Sequence, residues 1–390
     1  MSHTIAVGGT RRRAWAVAAL ASIVAVTGLV AVPGADAKTK KKPVPVKVMT
    51  RNLFLGADLG PALNATTFNE FTAANAAILA EVDKTNFPLR AVGLAGELAQ
   101  KKPDLVGLQE VAWWRTNPTP GGPQQGPNGQ FTATTTRYDF LALLQAELDK
   151  RGLNYTVAVE KVEFDFEAPA DTDGDPNTGI AGGDIQGRLT MRDVILVNED
   201  SKVNLKVKNP TSGTFASLFT PNISGIDVPV TRGWTAVDAT ATKGKGKKQS
   251  KVKFRFVNSH FEAFDDETQR PSIRAQQAAE LLAGPASPKR TIILGDFNSN
   301  VPGVQAGDEQ AYQTLLDAGF EDRTVNDDAT CCINDLFAPT NTFDHQVDHV
   351  MTNMGKKVKL VNSEGTGKTP VSGIYNSDHA GVFSTLKISK

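Results

Sequence analysis

Short apolar runs rich in β-branched residues alternate along the chain with longer stretches that repeat apolar positions every three or four residues. The first pattern is typical of strands and the second of amphipathic helices. The predicted strands are 44–53, 104–111, 155–164, 193–198, 201–209, 251–260, 291–296, 346–353 and 380–389. The predicted helices are 69–83, 88–101, 138–151, 270–283 and 309–318. Because several strands follow one another directly, the pattern predicts an α/β fold with two mixed sheets packed face to face and helices outside.

The run TIILGDFNSN, residues 291–300, ends its strand with a carboxylate and a carboxamide one residue apart. In an extended chain Asp296 and Asn298 would point to the same side, and Phe297 would point back into the protein. Asp, Asn and Gly also dominate ordinary turns. The stretch alone therefore leaves two interpretations, a plain turn or one half of an active site.

The first 37 residues have the order of a secretory signal peptide. A basic group, 11–13, precedes an apolar run, 14–32, and the small-residue pattern Ala35-Asp36-Ala37. This order predicts cleavage after Ala37 and a secreted, extracellular protein. The alternative is a membrane anchor, since the apolar run is almost long enough to span a bilayer.

We predict three segments: the signal peptide 1–37, a Lys-rich tail 38–45 and a single domain 46–390. After residue 37 no stretch is apolar enough to cross a membrane. The chain balances 42 basic against 42 acidic residues, and the Lys clusters at 38–42 and 243–248 fit a solvated tail and a loop tip. This balanced charge does not indicate tight, non-specific DNA binding, which needs an excess of basic residues.

The only two cysteines, Cys331 and Cys332, are neighbours in the chain. Cα atoms across a trans peptide lie about 3.8 Å apart, less than the roughly 4.4–6.8 Å of most disulfides. We therefore expect two thiols or a rare redox element.

Two polar inserts interrupt the pattern, at 117–130 and 165–187. In the second, Asp171, Asp173 and Asp175 alternate as in a calcium loop, but Pro176 stands where the EF-hand glycine belongs. This favours an acidic surface loop over a calcium site.

Six predicted strand ends or strand starts carry polar residues. They are Asn52, Glu110, His260, Asp296 with Asn298, Asp348, and Asp378 with His379. An oxygen-rich set of this kind suits Mg²⁺ and suits zinc poorly, because no His/Cys cluster has zinc spacing. The sequence has neither a G-x-x-x-x-G-K-[ST] phosphate loop nor a G-x-S-x-G nucleophile elbow.

The order TRN, QE, NSH, GDFN, VDH, SDH resembles the endonuclease/exonuclease/phosphatase superfamily, whose members include pancreatic-type deoxyribonucleases and bacterial sphingomyelinases. The resemblance runs from about residue 46 to 387. It implies a four-layer α/β sandwich with the active site at one end. It also implies an enzyme, a hydrolase that acts on phosphoric ester bonds with the help of a metal ion.

The resemblance further assigns the metal site. Glu110 would be the principal ligand of Mg²⁺, with Mn²⁺ as a substitute. Asn52 would lie beside it as a ligand or as a group that orients the ligands, and Asp378 would complete the metal or water network.

For the catalytic groups, the resemblance implies that Asp296 orients and deprotonates the attacking water. Asn298 would hold that water or a phosphate oxygen. His379, held by Asp348, would contact the phosphate as proton donor or electrophile. His260 would bind a non-bridging oxygen or protonate the leaving oxygen.

Arg192 has two interpretations, a substrate-binding phosphate clamp or an arginine in a surface salt bridge. Trp113 and Trp114, just after Glu110, could stack on bases, enter a lipid interface or pack under the following loop.

We predict a secreted nuclease or phosphodiesterase that acts by in-line attack of water. The alternatives are a phospholipase C-like sphingomyelinase or a phosphomonoesterase, and a non-catalytic binding module. The predicted partner is a phosphoester substrate, either nucleic acid or a phospholipid head group. We expect no protein partner and a monomer.

Overall fold

Two β-sheets pack face to face in the structure, a computed structural model that describes residues 41–126, 128–264, 269–302, 309–324 and 328–390. The predicted signal peptide, 1–37, lies outside the described residues. No helix in the described part of the chain is both long and apolar enough to span a bilayer.

The described residues form seventeen strands and six α-helices. The strands are β1 (Val44–Asn52), β2 (Leu105–Gln109), β3 (Trp113–Asn117), β4 (Gln124–Gln125), β5 (Thr135–Asp139), β6 (Tyr155–Ala170), β7 (Ile185–Asn198), β8 (Leu205–Thr214), β9 (Asn222–Ile223), β10 (Ile226–Asp227), β11 (Gly233–Lys243), β12 (Ser250–His260), β13 (Thr291–Asp296), β14 (Glu321–Asp322), β15 (Asp348–Thr352), β16 (Val358–Thr366) and β17 (Gly381–Ile388). The helices are α1 (Gly60–Leu63), α2 (Phe68–Lys84), α3 (Phe87–Lys101), α4 (Phe140–Lys150), α5 (Ile273–Ala283) and α6 (Gln310–Asp317). Two 3₁₀ turns occupy Gly246–Lys248 and Gly355–Lys357.

The first sheet has the order β16-β17-β1-β2-β7-β3-β5, and β6 pairs with β7 and with β4. The second has the order β14-β15-β13-β12-β11-β8. Each sheet contains one parallel pair near its centre, β1 with β2 and β12 with β13. The prediction of two mixed sheets is therefore confirmed.

Apolar side chains fill three layers of packing. Between the sheets, side chains such as Val48 and Ile195 meet Phe256 and Leu294 of the opposite sheet. The other face of the first sheet packs against α2, α3 and α4, and the other face of the second sheet packs against α5 and α6. The unit Lys41–Lys390 is a four-layer sandwich of helices, sheet, sheet and helices, as predicted.

Capping side chains set where several helices begin. Thr67 and Glu70 form a capping box at the start of α2, and Asp139 accepts from two backbone N–H groups at the start of α4. Helix α5 begins at Ile273, later than predicted, because Ser272 caps it by accepting from Ala275 N.

The predicted strand boundaries were wrong in the second insert. Strand β6 continues to Ala170 and β7 begins at Ile185, so only residues 171–184 form the loop. The sequence also missed β3, β5, β11 and β16. In β11 several buried positions are small, as with Ala236, Ala239 and Ala241, and small residues give a weak strand signal.

Gly107 of β2 lies at a close contact between the two sheets. A Cβ atom there would lie 2.3 Å from Leu294 Cδ1 and 2.5 Å from Asn258 Oδ1. Both side chains are fully buried, so neither can move freely. The absence of a side chain at Gly107 sets how closely the sheets approach beneath the strand ends.

We expect Gly107→Ala to lower the free energy of unfolding by about 1–3 kcal/mol, the usual cost of overpacking a core. The matched control is Gly96→Ala in α3, where a Cβ meets nothing within 4 Å and alanine is expected to stabilise the helix by about 0.5–1 kcal/mol. Urea unfolding of both variants measures the difference. Equal stability of the two would contradict the close sheet contact.

Candidate functional site

The polar strand ends converge at one end of the sandwich because of the strand register. Asn52 pairs with Gln109, the residue before Glu110, in the parallel pair of the first sheet. In the second sheet His260 pairs with Asp296, and Asp296 pairs with Asp348. Since parallel strands end at the same edge, these groups form one cluster.

Asn52 links the acidic groups of the two sheets. Its Nδ2 donates to Glu110 Oε1 and to Asp296 Oδ2, each at 3.0 Å. Its Oδ1 accepts from Phe54 N at 2.8 Å, which fixes which end of the amide faces the carboxylates. Asn52 therefore orients both acids, one of the two roles that the sequence left open. Glu110 Oε2 accepts from Leu55 N at 2.7 Å.

Asp296 and Asn298 both line the pocket, but not through the extended geometry that the sequence predicted. Strand β13 ends at Asp296, and Asn298 has a left-handed backbone with φ of 46°. The backbone N of Asn298 turns back to donate to Asp296 Oδ1 at 2.9 Å, and its Nδ2 donates to Phe261 O. The stretch is thus a turn and part of the site at once. Phe297 is buried, as expected.

His379 and Asp348 form a buried pair, with 2.8 Å between His379 Nδ1 and Asp348 Oδ2. The other ring nitrogen, Nε2, lies 3.6 Å from Asp296 Oδ2. Burial opposes a charge on this ring, but Asp348, Asp296 and Asp378 together raise the pKa of His379 well above its ordinary value. The imidazole is therefore held protonated.

His260 has the opposite electrostatic setting. Its Nε2 lies 3.5 Å from Asp296 Oδ2, and its Nδ1 lies 3.1 Å from Arg232 Nη1. Burial, Arg232 and His379 lower the pKa of His260 well below its ordinary value. Because the guanidinium can only donate, Nδ1 accepts, and the proton of the neutral ring is on Nε2, facing Asp296.

Arg232 is a site residue that the sequence analysis missed. It is buried, lies just before β11 and lies 3.5 Å from Glu262 through its Nε. Gly233 pairs with His260 across β11 and β12, which brings the arginine beside the histidine. Strand β11, which the sequence analysis did not detect, is the feature that could have placed Arg232 in the site.

The donor set fits a hard divalent cation. Burial raises the pKa of Asp378 to about 7, and repulsion from Glu110 and Asp296 adds to the shift. Burial likewise raises the pKa of Asp296 to about 6. One oxygen of Asp348, Oδ1, is buried without a hydrogen-bond partner. Mutually repelling carboxylates at a pocket are stabilised by a cation, and carboxylate oxygens are what Mg²⁺ prefers.

Arg192 does not line this pocket. It is paired with Asp139 and Glu160, and its Nε donates to Val111 O at 3.0 Å. These contacts match the salt-bridge interpretation, and they hold the segment that follows Glu110. The predicted role as a phosphate clamp has no contact to support it.

Trp114 packs in the interior of the protein, which agrees with the third of its three interpretations, packing under the following loop. It is buried, and its Nε1 donates to Leu55 O at 2.8 Å. Trp113 is half-buried beneath Arg115, whose guanidinium carbon lies 4.0 Å from the ring centre.

Cys331 and Cys332 are joined by a disulfide, not left as two thiols. Cys332 lies at the rim of the pocket, with its Sγ 3.9 Å from His379 Nε2. In the acidic loop, oxygens of Asp171, Asp173 and Asp184 lie within 4.8 Å of one another, with Asp184 in place of the predicted Asp175.

The cluster of polar strand ends opens into a pocket of about 550 Å³. Glu110, Asp296, Asn298, Asp378 and His379 line it together with His260 and Arg232. Its remaining wall is largely apolar and includes side chains of Leu59, Phe164 and Phe264.

Comparisons with known proteins bear on both fold and family. A comparison with curated protein sequences finds no match. The structure superposes on an endonuclease/exonuclease/phosphatase family protein from Leptotrichia buccalis with a TM-score of 0.50 and 15% identity, covering 88% of this chain and 100% of that chain. A mannosyl-6-phosphatase from Bacteroides thetaiotaomicron gives a TM-score of 0.47 and 15% identity, covering 87% of this chain and 99% of that one.

The sequence model of the Endonuclease/Exonuclease/phosphatase family matches residues 67–379, most of the chain. Members of this family are hydrolases that act on phosphoester bonds. The match spans Glu110, His260, Asp296, Asp348 and His379, and the structure brings these five side chains together. The chain belongs to the Endonuclease/Exonuclease/phosphatase family of phosphoester hydrolases.

Proposed function

We propose that this protein is an exported, Mg²⁺-dependent phosphodiesterase that hydrolyses its substrate by direct in-line attack of water. One observation carries the proposal: the buried Asp296 carboxylate lies between the Asn52 amide and the Nε2 atoms of two histidines with opposite charge states. Such a site can orient a water molecule, accept its proton and neutralise charge on a phosphoryl group without a covalent intermediate.

Asp296 is the group that orients the water and accepts its proton. Four residues surround the carboxylate: Asn52 Nδ2 donates to one oxygen, Asn298 N donates to the other, and the Nε2 atoms of His260 and His379 lie 3.5 and 3.6 Å from Oδ2. Its pKa, raised by burial to about 6, makes it a better base than an ordinary aspartate and leaves it ionised at neutral pH.

The two histidines have different roles in the proposed reaction. Neutral His260 donates its Nε2–H to a non-bridging phosphoryl oxygen. Protonated His379 contributes positive charge, and its Nε2 proton can pass to the leaving oxygen. Asp348 keeps that proton on Nε2 by accepting the hydrogen bond from Nδ1.

Glu110 and Asp378 are the residues that would hold Mg²⁺, with Asn52 orienting Glu110. When bound, the cation supplies Lewis-acid stabilisation of charge on the phosphoryl oxygens. Removal of the cation also leaves Glu110 and Asp378 to repel each other.

The first prediction concerns the metal. Activity on bis-p-nitrophenyl phosphate should disappear in EDTA and return with Mg²⁺ or Mn²⁺. In Glu110→Gln the Mg²⁺ concentration for half-maximal rate should rise, because one charged ligand is lost. Glu199→Gln, an exposed carboxylate outside the pocket, is the matched control. Full activity of metal-free enzyme would refute the proposed metal dependence.

The second prediction concerns Asp296 as the general base. Asp296→Asn keeps the shape of the side chain but removes the proton acceptor, so kcat should fall by about 10²–10⁴. KM should change much less, since the hydrogen bonds that shape the pocket can persist. Steady-state kinetics at saturating Mg²⁺ gives both constants. Near-normal turnover would assign the base to another residue.

The third couples Asp348 to His379. Either Asp348→Asn or His379→Ala should remove most of the rate, and the double variant should be little worse than the poorer single one, because the pair acts as a unit. The pKa of His379 is raised, so the imidazolium persists to higher pH and is lost as pH rises through that value. Asp348→Asn should therefore move the alkaline limb of the pH–rate profile toward lower pH. Additive losses with an unmoved limb would disprove the coupling.

A further inference from the structure

An apolar cavity of about 70 Å³ lies beside the catalytic pocket. One wall is the face of β6 and β7 that presents Phe164, Phe166 and Leu189. The opposite wall comes from α1 and α2, with Leu63 and Ile78 among its side chains. The cavity thus lies in the layer between the first sheet and its covering helices.

The polar side chains in this wall are already committed to the protein. Trp114 Nε1 donates to Leu55 O at 2.8 Å, and Asn75 Nδ2 donates to Pro169 O at 2.9 Å. About 10–15 Å³ is enough for one water molecule, but a buried water needs two to four polar partners. The cavity therefore has room for several waters and little to hold them, so it favours a hydrocarbon group.

The cavity adjoins the catalytic pocket. Four side chains line both of them: Leu59, Leu63, Phe164 and Leu189. The catalytic pocket also contains Glu110, Asp296 and His379. A molecule with its phosphate among these groups can extend an attached chain past the four shared side chains into the cavity.

The charge of the pocket argues against a polynucleotide. Of the described residues that line it, Arg232 is the sole Arg or Lys, and it already contacts His260 and Glu262. Binding along a nucleic acid backbone needs several basic contacts to phosphates. A nucleobase in the apolar cavity would also bury its polar edge without partners, which is costly.

We infer that the substrate is a phosphodiester carrying an unbranched hydrocarbon chain, as in a phospholipid, and that the cavity walled by Leu63, Phe164 and Leu189 binds the first part of that chain. This inference rests on the proposed function and assigns its substrate class. The reaction itself is unchanged: water attacks phosphorus, the bond to the leaving oxygen breaks, and the alkyl phosphate remains.

The test is a series of p-nitrophenyl alkyl phosphates (methyl, butyl, hexyl and octyl) assayed as monomers with Mg²⁺. All share one leaving group, so only the chain varies. Burial of each methylene should raise kcat/KM by up to about fourfold, from about 0.8 kcal/mol per CH₂, until the cavity is full. Plasmid DNA is assayed alongside.

Ala62→Leu and Ala168→Leu fill the cavity from its two walls, since both alanines line it. In each variant the ratio of kcat/KM for the octyl ester to that for the methyl ester should fall toward one. Ala80→Leu, on the exposed face of α2, makes the same change outside the cavity and should keep the wild-type ratio. Thermal melts show whether each variant is folded.

The outcomes separate the two proposals. A rising series that the filling variants flatten supports the inference. Hydrolysis of the methyl ester with a flat or falling series overturns the inference alone, as does faster cleavage of plasmid DNA than of every alkyl ester. No hydrolysis of any substrate in the presence of Mg²⁺ overturns the proposed function and this inference with it. The dependence of kcat/KM on chain length in the wild-type enzyme tests the inference even if neither filling variant folds.

Discussion

The hydrogen bonds from the Asn52 amide to Glu110 and Asp296 are the contacts on which the site depends. The two acids belong to different sheets, and their carboxylates lie on either side of a single Nδ2 atom. Carboxylates brought this close repel each other, and the amide that lies between them is held in its orientation by Phe54 N. The register of the central strand pairs and the close sheet contact at Gly107 both serve this one geometry.

Two buried arginines hold the loops around Asn52 in place. Arg90 donates to Leu53 O and Phe54 O on one side and to Asn376 O on the other. Arg51 donates to the carbonyl of His379 and pairs with Glu97 at 3.0 Å. Each guanidinium thus ties the end of β1 to the loop that leads into β17. Burial lowers the pKa of Arg90 to about 9, and the nearby Asp378 and Glu110 oppose that shift, so the guanidinium stays charged at neutral pH. Backbone carbonyls accept its hydrogen bonds.

The sequence predicted the parts of this protein that depend on local pattern. Buried strands such as β13 and amphipathic helices such as α3 carry a periodic signal, and the motifs place His260, Asp296 and His379 at strand ends. It could not predict contacts that depend on tertiary packing. Arg232 lies beside His260 because β11 pairs with β12, and the small side chains of β11 give little strand signal. Arg192 forms ion pairs with Asp139 and Glu160, which neighbouring segments bring beside it. Asn298 joins the site through a left-handed turn, which an alternating pattern does not show.

The site gives its two histidines different charge states. Burial disfavours a charge on both rings, and the charged groups around each ring account for the difference. His379 has a carboxylate, Asp348, at Nδ1 and is held as a cation. His260 has a guanidinium, Arg232, at Nδ1 and is held neutral. Both direct an Nε2–H toward Asp296, so a phosphoryl group there would meet one strong, charged donor and one neutral donor. Two imidazolium ions at this spacing would repel each other and would neutralise the base between them. The arginine beside His260 therefore keeps Asp296 basic while the carboxylate beside His379 keeps a proton available, which is the pairing that acid–base catalysis requires.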